Sequence, residues 1–117
     1  MQEGAHQEVD WYHLHLYFED VTEPKAAEVY ELAKGQKTVV ELGRFHSRPV
    51  GPHPCRQFQM RTTSEHLEGL IIWLETVRGD LDVLVHPEVE DDYWAHTSGA
   101  RWLGKPHTLK LDVFSQE

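Results

Sequence analysis

His13 and His15 stand two residues apart in Trp11–Phe18, a run whose residue character alternates. Trp11, His13, His15 and Tyr17 share one parity; Tyr12, Leu14, Leu16 and Phe18 share the other. Period two predicts a strand with one apolar face and one histidine face. Side chains two apart on a strand leave the same face, about 6–7 Å from each other. Such a pair can give a metal two ligands, or one ligand and one acid–base group. It is equally the pattern of a solvent-facing strand that happens to carry histidines.

Parity brings further groups to that face. Leu81, Val83 and Val85 read as the core side of a later strand, which turns His86 the other way. Phe58 and Met60 do the same for Gln57 and Gln59, and His53 shares their odd parity at the strand entrance. Several imidazoles converging on one sheet face is the pattern of a metal site. His46 opens the Pro- and Gly-rich loop His46–Pro54. His96 follows Asp92 by one helical turn, which suits an Asp–His hydrogen bond that fixes a tautomer. His6, His66 and His107 read as ordinary terminal, helix-start and turn residues. The nine histidines form no tract, so they are not a low-complexity segment.

The elements that must hold these residues follow from pattern. Thr22 can cap a helix carrying Pro24 in its first turn, with Ala26, Val29, Tyr30 and Ala33 at helical spacing. Gly35 is expected to stop it in the left-handed region. Thr38–His46 reads as a strand with Val40 and Leu42 inward, and Arg56–Thr62 as the next. Ser64 is a plausible cap for a second helix with the stripe Leu67, Leu70, Ile71, Leu74 and Val77, ended by Gly79. The order β-α-β-β-α-β predicts an α+β, ferredoxin-like βαββαβ sandwich with both helices on one face and the other face free. A C-terminal extension holds a helical turn near Asp92–Gly99 and an extra strand over Thr108–Phe114.

The chain of 117 residues suits a single domain over 11–117 behind a flexible N-terminus, 1–10. Its net charge of −9 argues against nucleic-acid binding, because phosphate backbones are repelled. No apolar run is long enough for a membrane span, and Met1–Asp10 lacks the basic and apolar regions of a signal peptide. A single cysteine, Cys55, excludes an internal disulfide and fits a reducing cytoplasm; it reads as an inert thiol. The acidic Glu88–Asp92 run reads as a solvated loop. Trp73, Trp94 and Trp102 read as packing residues.

Four segments together resemble the DOPA 4,5-dioxygenase family: YHLHLYF (Tyr12–Phe18), FHSRPVGPHP (Phe45–Pro54), LDVLVHP (Leu81–Pro87) and AHTSGARWLG (Ala95–Gly104). The likeness runs from Trp11 to about Lys110. It implies a small ferredoxin-like domain, often a dimer, that uses a divalent metal, Fe(II) by expectation, for extradiol cleavage of a catechol such as DOPA with O₂. The shared histidines are His13, His15, His46, His53, His86 and His96. The stretch EVEDDYW after Pro87 departs from the Thr-Gly turn that relatives tend to carry there, which bears on the substrate rim.

Extradiol chemistry needs about three protein ligands and an open metal face for substrate and O₂. Glu41 has the parity for a carboxylate ligand, yet three histidines are the simpler set. His15, His53 and His86 are the expected ligands. His13 and His46 then handle protons, with His96 beside them, since an imidazole titrates near ~6.5. Arg48 or Arg56 can pair with a substrate carboxylate, and Tyr17 lines the same face. A homodimer would hide the apolar surface of Trp11 and Tyr17. The competing reading is a non-enzymatic module that binds a metal or a small aromatic ligand on the same fold.

Overall fold

The computed structural model describes residues 8–114. Strands β1 (Trp11–Phe18), β2 (Glu41–Phe45), β3 (Arg56–Thr63), β4 (Val83–Pro87) and β5 (Arg101–Leu103) form one antiparallel sheet. Its order is β2-β3-β1-β4-β5. The helices are α1 (Glu23–Ala33), α2 (Leu67–Val77) and the single turn α3 (Asp92–Ala95). This is the expected βαββαβ plan with one strand added beside β4. The residues 1–7 of the expected flexible terminus lie outside the described part.

The alternation in β1 decides the layering. Leu14, Leu16 and Phe18 join Phe58, Met60, Val83 and Val85 in a core closed by Ala26 and Val29 of α1 and Leu67, Leu70, Ile71 and Leu74 of α2. His13, His15 and Tyr17 therefore project from the opposite face. Phe58 is fully buried at the centre of that core and stacks its edge on Tyr30. Phe58→Ala is expected to cost about 3–5 kcal/mol of unfolding free energy, read as a lower urea midpoint with the slope unchanged.

Local expectations fail where a tertiary contact outweighs propensity. Val40 is exposed, since β2 starts after it at Glu41; Val39, Leu42 and Phe45 are the residues packed on the core, with a bulge between Leu42 and Phe45. Gly43 makes the bulge possible: a Cβ there would meet the Gln59 backbone at 3.3 Å. Gly35 does not adopt a left-handed conformation; Gly79, after α2, does. The N-cap of α2 is His66 rather than Ser64, its amide donating to Thr63 Oγ1.

The C-terminal expectation also changes. Thr108–Phe114 forms no strand. The added strand is Arg101–Leu103, which pairs with Val83–Val85 and places Leu103 in the core. Gly104 then turns at φ +82, Pro106 offers no amide, and the Lys110 amide donates to Pro52 O. The chain thus leaves the sheet edge, and its described part closes with a 3₁₀ turn, Leu111–Phe114, packed on His96. The histidine face is consequently not free. Tyr17, His15, His53, Leu84 and His86 are all buried within this one chain, which removes Tyr17 from any apolar area that a second copy would hide. Among the described residues, no helix is long and apolar enough to cross a membrane.

Candidate metal and active site

Two central strands supply the heart of the site. His13 lies opposite His86 in the β1–β4 register, and His15 lies one pleat further along β1. Ligand-capable nitrogens of His13, His15 and His86 all fall within 4.8 Å of one another. His15 Nε2 and His86 Nε2 are 3.0 Å apart. The other nitrogen of each ring is already committed. His15 Nδ1–H donates to Gln57 Oε1 at 2.8 Å, and His86 Nδ1–H donates to Pro87 O at 3.1 Å. A neutral imidazole has one N–H and one lone pair. With both protons turned outward, the two Nε2 lone pairs face each other across 3.0 Å, an arrangement that a bound cation would satisfy.

The surrounding groups repeat this pattern of outward protons. His13 Nε2–H donates to Glu88 Oε1 at 2.8 Å, leaving Nδ1 as the acceptor. Glu88 is held in turn by Arg61, through Nε at 2.8 Å and a second guanidinium nitrogen at 3.2 Å. The guanidinium also binds Glu41 and lies 3.8 Å from the Trp11 ring centroid. His96 Nδ1–H donates to the Asp92 carbonyl at 2.8 Å, so the one-turn spacing delivers a backbone acceptor, not the expected carboxylate. Its ring stacks 4.0 Å from His86 and 4.7 Å from Phe114. His53 packs 4.2 Å from His15, and its Nδ1 is hydrogen-bonded to the Tyr17 hydroxyl at 2.7 Å.

Burial sets the electrostatics. It holds His15 well below its ordinary value, with the neighbouring His53 and His86 rings adding to the effect. Burial and then His96 bring His86 from 6.5 down to about 3. Burial, His96 and His46 bring His53 to about 4. The Glu88 carboxyl falls to about 2 because Arg61 and His13 donate to it. In the metal-free protein His15, His53 and His86 are therefore neutral, with an anionic Glu88 on the rim.

A pH dependence follows. Histidines whose folded values lie below 6.5 take up protons more readily when unfolded. Their stabilisation is complete above pH ~6.5 and is lost as pH falls toward about 3–4. Metal-free protein should lose on the order of 2–3 kcal/mol from His86 alone between pH 7 and 4.5. Urea unfolding at a series of pH values checks this. A midpoint that stays level across the range would contradict the buried neutral cluster.

The structure brings together His13, His15, Tyr17, His53, His86 and His96. His46 follows β2, with its amide on Gln57 O, and Arg48 is exposed; both line a pocket of about 250 Å³ with Arg44. Arg56 is not part of the gathering. It pairs with Phe18 in register, lies over that ring, and binds Asp20 and Glu23. Glu41 is exposed and bound to Arg61. Sequence reasoning missed Glu88, whose signal was its spacing: it lies two residues after His86, and its amide donates to Trp11 O, extending the β4 ladder past Pro87. Leu84 and Trp102 share one row with His15 across β4 and β5, and Trp102 packs on Tyr17 and His107 as a packing residue would.

Fold and site together define a ferredoxin-like domain that buries a histidine cluster under its own loops. The chain belongs to the Dopa 4,5-dioxygenase family, whose sequence profile matches residues 12–113. A crystal structure of a candidate dioxygenase from Nostoc punctiforme is similar with a TM-score of 0.80 and 32% identity, over 90% of each chain. The DOPA 4,5-dioxygenase of Amanita muscaria is 27% identical over 119 residues, covering 95% of this chain and 52% of that protein. An uncharacterized 21.2 kDa protein of Botryotinia fuckeliana is 33% identical over 96 residues, covering 75% of this chain and 52% of that one. The chain thus spans about half the length of these curated relatives.

Proposed function

We propose that this chain is a metal-dependent extradiol dioxygenase that opens the ring of a catechol such as DOPA, with Fe(II) as the metal. The observation that carries the reading is the approach of His15 Nε2 to His86 Nε2 at 3.0 Å, with the other nitrogen of each ring already hydrogen-bonded. Two nitrogens bound at right angles to one ion, with bonds of about 2.1 Å, lie about 3.0 Å apart. Outward Nδ1 protons on carbonyl oxygens are the usual partners of metal-bound imidazoles, because they fix the ring and raise its basicity. The donor set therefore fits a divalent cation. When bound, such an ion brings a catechol and O₂ together and lets electrons pass between them, so that both oxygen atoms enter the opened ring.

The residues of the chain do the rest. His15 and His86 hold the metal, and His13 completes the set with Glu88 securing its other nitrogen. This exchanges the roles expected of His13 and His53 from the sequence. His53, braced by Tyr17, moves a proton to or from the substrate oxygens, with His96 and His46 beside it. Arg48, exposed at the mouth of the loop, pairs with a substrate carboxylate. The loops over the face exclude bulk water. The homodimer belongs to this reading on the family likeness alone, and the cytoplasm on the single thiol.

The test is an anaerobic titration of Fe(II) into metal-free protein, then addition of DOPA, then of O₂. Stoichiometric binding, followed by O₂ uptake and a yellow ring-opened product, is the expected sequence. Metal binding with no catechol-dependent O₂ uptake would leave a metal-binding module and sink the enzymatic reading.

A further inference from the structure

A second cluster lies against Tyr17, whose ring also contacts His53. Cys55 precedes β3, Asp82 precedes β4, and His107 lies in the segment after β5. Cys55 Sγ sits 3.8 Å from His107 Nδ1. His107 Nε2–H donates to Asp82 Oδ2 at 2.8 Å, and the other carboxylate oxygen of Asp82 accepts from the Lys105 amide at 2.8 Å. With its proton on Nε2, the ring presents the Nδ1 lone pair to the thiol. The imidazole is further fixed between Tyr17, at 4.9 Å, and Trp102, at 5.7 Å between centroids. These groups open onto a pocket of about 280 Å³, also lined by Tyr17, Thr22 and Lys105.

We propose that Cys55, His107 and Asp82 form a reactive site, separate from the histidine cluster, that captures small α,β-unsaturated carbonyl compounds as thioethers. A nucleophile, a base in contact with it, and a carboxylate that orients the base are the parts such a reaction needs. Burial, with the carboxylates of Glu19 and Asp82, keeps the thiol protonated at neutral pH, so attack depends on His107 taking the proton as the bond forms. Sulfur bonds to the β-carbon of the acceptor. The alkene π pair shifts toward the carbonyl to give an enolate, and Lys105 on the lining supplies positive charge near it. The thiol proton passes to Nδ1 and then to the α-carbon. Nothing leaves and nothing is oxidised or reduced overall. A volume of about 280 Å³ limits the acceptor to a small molecule. The proposal stands on this geometry and not on the ring-opening reading.

The experiment reacts the full chain with N-ethylmaleimide at pH 7 and follows intact mass. Cys55 is the single cysteine, so each adduct reports on it. The folded wild type should take up one maleimide at a rate proportional to reagent concentration. His107→Ala should slow the reaction by about 10²-fold and Asp82→Asn by about 10-fold, with added imidazole restoring part of the His107→Ala rate. A ring that merely shields the thiol would give the opposite sign, so equal or faster reaction of His107→Ala overturns the proposal. If the variants do not fold, the wild type alone decides. Proton transfer during attack predicts a rate about twofold lower in D₂O. An absent or inverse isotope effect, or a rate independent of maleimide concentration, overturns the proposal.

Discussion

His15→Ala and His86→Ala are each expected to lose the bound metal, with affinity for Fe(II) falling by more than about 10²-fold and ring opening falling with it. Each substitution removes one of the two facing nitrogens and leaves a partial chelate. The fold should survive. His15→Ala exposes Gln57 Oε1 to an unmet hydrogen bond, a cost of about 1–3 kcal/mol, but it also removes an imidazole that is costly to protonate where it stands. Circular dichroism separates loss of metal from loss of fold. His66→Ala, on an exposed residue at the start of α2, serves as the control and should change neither metal content nor turnover. Full metal content in both His15→Ala and His86→Ala would remove the basis of the proposed centre.

Much of this centre is legible in parity alone. Once Leu14 and Leu16 are assigned to the helices, His13 and His15 must face away, and the same argument places His86, Gln57 and Gln59. A strand reads its two faces in strict alternation, so the inference holds as far as pairing is regular. It stops at Val40, which is exposed and lies before β2 begins, and again between Leu42 and Phe45, where a bulge beside Gly43 shifts the register.

The rest was hidden for a different reason. Parity says which face a residue takes, not what covers that face. The Lys110 amide on Pro52 O, the Phe114 ring on His96 and the β5 pairing turn an exposed sheet into a buried one. Each is a contact between segments far apart in sequence. Glu88 shows the cost of reading an acidic run by composition: exposed like Glu90, Asp91 and Asp92, it is nonetheless bound by Arg61 and His13. Arg56 shows the converse. Its type suits a substrate carboxylate, but its register opposite Phe18 sends it to the helix side.

The remaining prediction separates ligand from proton carrier. His53→Ala should keep the metal, with Fe(II) affinity within about 10-fold of wild type, and slow ring opening by about 10²–10⁴-fold. The argument rests on how its ring is held. Nδ1 is hydrogen-bonded to the Tyr17 hydroxyl at 2.7 Å; with that hydroxyl as the donor, neutral His53 carries its proton on Nε2. That state can give a proton to an oxygen bound beside His15, 4.2 Å away between rings, and recover it afterwards. Tyr17→Phe keeps the aromatic packing against Trp102 and His107 but releases Nδ1. Ring opening should fall by about 10-fold, through kcat rather than KM, with the metal retained. Anaerobic Fe(II) titration gives the binding half of the answer, and the yellow product after O₂ gives the chemical half. If His53→Ala loses its metal while His13→Ala keeps it, the set is His15, His53 and His86 after all. His13, with Glu88 behind it, then becomes the proton carrier.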